Sequence, residues 1–451
     1  MTNLVIDGAS LATVDASGTE HASGHVVVHD GRIAAVGPGP APAVADGVRR
    51  VDGRGCLVTP GLVNAHHHLY QWATRGYAPQ ATLFEWLTEL YPVWARVTEP
   101  VVGAAAAAGL AWLARSGCTT TTDHHYLFPR DGGDPLGATV HAAASVGLRF
   151  HPCRGSMDLG RSRGGLPPDE VVESLDDIEA ATIDAVERFH DPAPGAMVRV
   201  AVAPCSPFSV TEELLLRSAA LARRLGLRLH THLAETLDEE EYCRQRHGLS
   251  PVEYLDKLGW LGPDVWLAHA VHVAPRERNR LGATRTAVAH CPSSNARLGT
   301  GTAPVRSYLD AGVVVGLGVD GAASQESGRM ADEMRQALYA ARAAHGPTAL
   351  TAREALAAAT MGGARCLGRD DEIGSLEVGK LADLAVWRLD GLGHAGIADP
   401  VTALVFGAAA PLELLTVGGR VVVERDELRT ADEAALAADL SRACASVRRS
   451  P

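Results

Sequence analysis

The sequence predicts an α/β protein: a (β/α)8 barrel with a small β-sandwich domain built from the N- and C-terminal segments. Three observations predict it. At 451 residues, the chain has room for one barrel of about 250 residues plus an appendage. Between roughly residues 60 and 370, eight short apolar runs alternate with helical patterns, as in a parallel sheet covered by helices. The two ends of the chain share a different texture, short strands broken at Gly and Asp turns.

Taken in order, "NLVIDGASLATVD", "GHVVVHDGRIAAVGPG" and "RRVDGRGCLVTPGLV" read as strands and turns. The eight barrel strands follow at 61–68, 118–125, 148–156, 197–205, 227–235, 264–272, 286–295 and 313–321. The gaps carry amphipathic helices. In "TEELLLRSAALARRLG", Leu214, Leu215, Ser218, Leu221 and Leu225 share one face, and Thr211 before Glu212 and Glu213 is a good N-cap with acid in the first turn. Strand texture returns at 374–390 and 415–428. The expected organisation is a composite β-domain from 1–59 and 370–430, a barrel over 60–369, and a closing helix with a frayed end over 431–451.

Composition narrows the function. With 41 basic and 53 acidic residues and a net charge of −12, nucleic acid or an anionic membrane is not the expected partner. No apolar run reaches the ~20 residues of a membrane helix. "MTNLVIDGAS" has no basic region followed by an apolar core, so no signal peptide is expected. The eight cysteines are scattered and form no C-x-x-C, which suits reduced thiols in the cytoplasm.

The unusual polar residues cluster where a barrel of this kind does its chemistry, at the C-terminal ends of strands. His66 and His68 end the first strand, His232 and Glu235 the fifth, His269 the sixth and Asp320 the eighth. Side chains alternate along a strand, so His66 and His68 face one way and His67 the other, toward packing or a neighbouring helix. His230 shares the face of His232 but lies deeper, as a supporting residue would. Asp320 follows an all-apolar strand, where an unpaired carboxylate is costly. His66, His68, His232 and Asp320 form a three-nitrogen, one-oxygen set suited to zinc. Gln71 can both donate and accept. Trp86 and Trp94 are candidates to stack on a planar ring, and Cys205 to line a pocket. The Gly/Arg-rich stretch 153–169 is a candidate cap over the site. The sequence leaves the roles of His67, His230 and His272 open.

"PGLVNAHHH", "HTHLAET", "LAHAVH", "HCPSSNARLGTGTAPV", "GLGVDGAAS" and "GSLEVGKLADLAVW" resemble, in order, the motifs of the amidohydrolase superfamily. The resemblance covers nearly the whole chain. It points to the branch holding nucleobase and S-adenosylhomocysteine deaminases and the triazine hydrolases. It implies one zinc ion per subunit, with ferrous iron as the alternative, held by His66, His68, His232 and Asp320, and catalysis by Glu235, His269 and Asp320. Dinuclear relatives carry a lysine at the end of the fourth strand. Here that strand ends "VAVAPCSP", and the only lysines are Lys257 and Lys380. The implied activity is hydrolytic deamination of an oxidised purine, 8-oxoguanine to urate and ammonia. The alternatives are a triazine, isocytosine, guanine or pterin substrate. A small heterocycle is the implied partner, and a homo-oligomer the implied assembly. With all six metal and catalytic positions filled, a non-catalytic barrel scaffold is disfavoured.

Overall fold

A computed structural model describes residues 3–45 and 47–448. The chain first lays down β1 (Leu4–Ala12), β2 (Glu20–His29), β3 (Arg32–Pro38), β4 (Arg49–Asp52) and β5 (Cys56–Pro60). The barrel strands follow: β6 (Leu62–Asn64), β7 (Cys118–His125), β8 (Arg149–Ser156), β9 (Ala201–Pro204), β10 (Leu229–Leu233), β11 (Val265–His269), β12 (Ala287–His290) and β13 (Val315–Leu317). They close into a parallel eight-stranded barrel, with helices in the connections. All eight expected strands exist, and the structure trims most of them at the ends.

The chain then returns through β14 (Leu384–Arg388), β15 (Leu412–Val417), β16 (Arg420–Glu424) and β17 (Glu427–Leu428). β14 pairs antiparallel with β5, Leu384 opposite Pro60 and Arg388 opposite Cys56, and so joins the two ends of the chain. The expected sandwich is one continuous nine-stranded mixed sheet. β1 is its pivot. Residues 4–7 pair with β4 and residues 10–11 with β5, on either side of a bulge. Strand alternation then serves two cores: Val58, Leu384 and Val386 face a small core inside the sheet, while Leu57, Ala385 and Trp387 face the barrel.

The joint between sheet and barrel is tight. Gly117 stands at the floor, just before β7, where a Cβ would lie 2.1 Å from the Trp387 ring, so only glycine admits that contact. Arg149, at the start of β8, donates from Nε to Asp383 at 2.7 Å, and both side chains are buried. The helix Glu212–Leu225 starts as expected, with Leu214 N–H donating to Thr211 Oγ1 at 3.2 Å. Leu225 departs from the expected face: in the last turn beside Gly226, it is exposed. The closing helix Glu433–Arg448 is tied to the helix Glu99–Arg115 by Arg115 and Glu433 at 2.6 Å. Its expected frayed end lies outside the described residues. Among the described residues no helix is long and apolar enough to cross a membrane, and all eight cysteines are free.

Candidate active site

Three imidazoles and one carboxylate converge at the C-terminal mouth of the barrel. β6 ends at Asn64, which pins its neighbours: Asn64 Nδ2 donates to Thr121 Oγ1 at 3.0 Å and its Oδ1 accepts from Val319 N–H at 3.0 Å. The histidines follow in extended backbone. Each has its tautomer set by a partner on the far side. His68 Nδ1 donates to the His124 carbonyl at 2.7 Å, and His232 Nδ1 to the Cys205 carbonyl at 2.7 Å. His230 Nδ1 donates to the Trp266 carbonyl at 2.8 Å, so its Nε2 must accept from His66 Nδ1 at 2.8 Å. Burial depresses the pKa of all four rings, so each is neutral with one N–H.

That N–H is spent in every case. The Nε2 lone pairs of His66, His68 and His232 therefore point into one space with Asp320 Oδ1. His68 Nε2 and His232 Nε2 are 3.0 Å apart, and Asp320 Oδ1 lies 3.3 Å from His68 Nε2 and 3.4 Å from His66 Nε2. Zinc–ligand bonds of about 2.0–2.2 Å at tetrahedral angles separate ligand atoms by about 3.3–3.6 Å. His66 Nε2 has no hydrogen-bond partner. Lone pairs converging in a buried place repel one another unless a cation is shared, so the donor set fits a divalent ion.

The side chains expected to move protons stand at this set. Backbone in the left-handed region turns each out of its strand: Ala234 at φ 53°, His269 at φ 68° and Asp320 at φ 61°. Glu239 holds the turn by accepting from the N–H groups of Ala234 (2.8 Å) and Glu235 (3.0 Å). Glu235 Oε2 lies 3.5 Å from His269 Nε2, and its Oε1 is buried without a partner. Burial pushes the Glu235 carboxyl up to about 7. Burial works to lower the His269 imidazole, but the charges of Glu235 and Asp320 outweigh it and raise the pKa. Asn295 Oδ1, 2.9 Å from His269 Nδ1, fixes the ring. Burial works against ionising Asp320, but the imidazoles of His66, His269 and His68 that face it outweigh burial and hold its carboxyl well below the usual range. Its second oxygen accepts from Ser294 Oγ (2.6 Å) and Ser324 Oγ (3.1 Å).

These groups face a cleft of about 410 Å³. All three expected substrate-binding residues line it. Gln71 is buried with Oε1 unpartnered. A Cβ on Gly321 would lie 1.8 Å from that oxygen, so the glycine after Asp320 makes room for Gln71. Trp86 donates its N–H to the Ala323 carbonyl at 3.2 Å, which holds the indole in the wall. Cys205 serves through its carbonyl, on His232, and burial pushes its thiol up to about 12.

Other expectations resolve differently. Trp94 is core: its N–H bonds Thr74 Oγ1 at 3.0 Å, and it does not line the cleft. His67 is buried, as packing required, and its Nδ1 donates to the Asp320 carbonyl at 2.6 Å and braces the eighth strand end. His272 bonds the Thr300 carbonyl at 2.8 Å, away from the cleft. Of the stretch 153–169, residues 153–156 belong to β8, and none of the stretch lines the cleft. Its anchor is Asp158, bonded to Thr211 N–H at 2.7 Å. Sequence reasoning missed His124, whose ring stacks on His232 at 4.8 Å, and the supports Asn295, Ser294, Ser324 and Glu239. "DHH" at the end of the second strand and "HCPSSN" after the seventh were the available signals.

A barrel that gathers imidazoles and a carboxylate at its mouth, with a protonatable glutamate beside them, is built like a metal-dependent hydrolase. Residues 57–422 match the amidohydrolase family, and the chain belongs to it. It is similar to 8-oxoguanine deaminase of Pseudomonas aeruginosa, 47% identical over 431 residues that cover 95% of each chain. It is 38% identical to hydroxydechloroatrazine ethylaminohydrolase of Pseudomonas sp. (strain ADP), over 95% of this chain and 92% of that one. Among solved structures it superposes on atrazine chlorohydrolase from Arthrobacter aurescens TC1 complexed with zinc, with a TM-score of 0.94, 35% identity, and coverage of 98% and 100%. The chain is thus an enzyme with a divalent-metal site.

Proposed function

We propose that the protein is a zinc-dependent deaminase of an oxidised purine, converting 8-oxoguanine and water to urate and ammonia. The observation that carries the reading is Glu235, a buried carboxyl with a pKa near neutrality, facing the cleft beside three convergent imidazole lone pairs and Asp320. The choice of substrate is supported by the Pseudomonas aeruginosa relative. His66, His68, His232 and Asp320 would hold the ion. When bound, such an ion supplies Lewis acidity, which for zinc lowers the pKa of a coordinated water from about 15.7 toward about 7.

The chain's own groups move the protons. Gln71 presents an amide that can donate to and accept from the edge of the ring, and the apolar wall around Trp86 excludes water. Asp320 takes one proton from the attacking water while His269, fixed by Asn295, orients it. The water oxygen bonds to the ring carbon that bears the amine. Glu235 gives its proton to the adjacent ring nitrogen. Asp320 passes its proton to the amine, the C–N bond breaks, and ammonia leaves with the electron pair. The remaining hydroxyl proton returns to Glu235 as the carbonyl forms. Each general acid–base step is worth about 10²–10⁴-fold.

The test is ammonia release from 8-oxoguanine, guanine, isocytosine, isoxanthopterin and hydroxylated triazines by enzyme of known metal content. Turnover of 8-oxoguanine above the others is expected. Turnover of triazines alone would replace the substrate with that of the second relative, and no ammonia from any of them would overturn the deaminase reading. Metal analysis of the purified enzyme decides between zinc and iron. The free thiols suit a reducing compartment such as the cytoplasm.

A further inference from the structure

The floor of the barrel, opposite the cleft, holds more cations than carboxylates. His151 near the start of β8, Arg199 before β9, and Arg228 before β10 line one cavity of about 680 Å³ together with His190. Arg369 is fully buried close by. Arg199 and Arg369 share a single carboxylate, Glu372, at 3.1 Å and 2.6 Å. Arg228 forms no ion pair among the described residues and donates to the carbonyl of Cys366 at 2.9 Å. Asp264 and Asp370, the side-chain carboxylates whose charge reaches Arg228, already face Arg223 and Arg365 at 2.9 Å and 3.7 Å. Arg199 and Arg369 therefore share one carboxylate and Arg228 pairs with none, leaving two guanidinium charges unmatched, while Asp191 acts on His190 beside them.

The unmet hydrogen bonds point the same way. Arg199 Nε, Arg369 Nη1 and His151 Nε2 are buried without a partner, and His151 is only 2% exposed. His190, which also lines the cavity, accepts from Val200 N–H through Nδ1 at 3.1 Å, so its Nε2 carries the proton. The two guanidinium orphans are costly unless something accepts from them. The chain as a whole carries a charge of −12, so this is not a generally basic surface.

We propose that this cavity is a binding site for a phosphate-type oxyanion, either free phosphate or the phosphate of a nucleotide. A dianion matches the two unmatched charges, and its oxygens accept from planar guanidinium forks and imidazole N–H groups. The site is independent of the chemistry at the mouth.

The experiment is calorimetric titration of the metal-loaded enzyme, in phosphate-free buffer at fixed ionic strength, with inorganic phosphate and separately with adenosine 5′-monophosphate. Saturable binding of one ligand per chain is expected. Arg228→Gln and His190→Gln should each weaken it at least about tenfold, the value of one charge-assisted hydrogen bond, while ammonia release in phosphate-free buffer is unchanged. Glu235→Gln at the opposite end should leave it intact. Equal affinities identify free phosphate; much tighter binding of the nucleotide identifies a nucleotide phosphate. Absence of saturable binding to the wild-type enzyme overturns the proposal, as does binding abolished by Glu235→Gln. If either floor variant fails to fold, the wild-type melting temperature decides: phosphate must raise it above chloride at equal ionic strength, and equal values overturn the proposal.

Discussion

The mouth and the floor of one barrel bury polar side chains with opposite needs. At the mouth the unsatisfied atoms are lone pairs: His66, His68 and His232 have spent their N–H groups behind them, and Asp320 completes the set. At the floor the guanidinium orphans are donors, crowded around Glu372. Only five residues of β10 separate Arg228 from the turn that carries Glu235. The backbone differs as well. At the mouth Ala234, His269, Ala270 and Asp320 occupy the left-handed region, which is costly for residues with a Cβ. At the floor the same region is mostly taken by glycines, Gly117, Gly147 and Gly226, with Arg285 the exception. Parallel strands put all their C-termini at one end, so strain and chemistry gather there, and the other end joins the barrel to the sheet.

The largest effect should come from removing the cation the mouth requires. Chelation should abolish ammonia release and lower the melting temperature, and added zinc should restore both, because metal binding free energy is also folding free energy. Retained activity in fully demetallated protein would break the comparison at its stronger end. Next comes Glu235→Gln, expected to cut kcat by about 10²–10⁴-fold with metal content unchanged. The sign of its pH dependence is set: burial holds the carboxyl near 7 and the protonated form is the acid, so wild-type kcat should fall as pH rises through about 7. A kcat that instead rises across that range would reverse Glu235's role.

At the floor, Arg149→Met removes one partner of a fully buried pair and leaves Asp383 uncompensated. It should cost about 3–5 kcal/mol of stability by denaturant unfolding, while the folded fraction keeps its kcat. An equal loss of kcat would show that the two ends are coupled. The smallest effect expected is for Gln71→Leu, which would remove the hydrogen bonds proposed to the substrate without touching the metal-binding side chains. A loss of about 1–3 kcal/mol, roughly 5- to 150-fold in kcat/KM, is expected, and no change would remove Gln71 from substrate binding.

Much of the barrel was legible because its strands are continuous apolar runs, and a buried parallel strand has no other way to be written. His66, His68, His232, Glu235, His269 and Asp320 stood out for the complementary reason, as polar residues at the ends of apolar strands. His124 escaped notice because "TTTTDHH" mixes polar and β-branched residues, and a strand buried on both faces hides which side chain faces the site. Asn295, Ser294 and Ser324 escaped because they act from helices and turns after the strands, where no periodicity marks them. The stretch 153–169 looked like a cap because it is rich in Gly and Arg, yet Asp158 ties it to Thr211 at the rim.

The sequence by itself determined the barrel, the pairing of the two chain ends and six of the polar residues that meet at the mouth, because hydrophobic periodicity and the cost of burying polar groups are local in sequence. Only the tertiary structure decided what those residues face. The tautomer of each histidine depends on a carbonyl or ring brought in from another strand, as with His232 and Cys205 or His66 and His230. The pKa of Glu235 depends on burial by elements far away in the chain, and the excess of cations at the floor depends on Arg199 and Arg369, 170 residues apart, sharing Glu372 while Arg228 stands unpaired on the same cavity as Arg199. Charge balance and desolvation are properties of neighbourhoods, and a linear sequence does not name its neighbours.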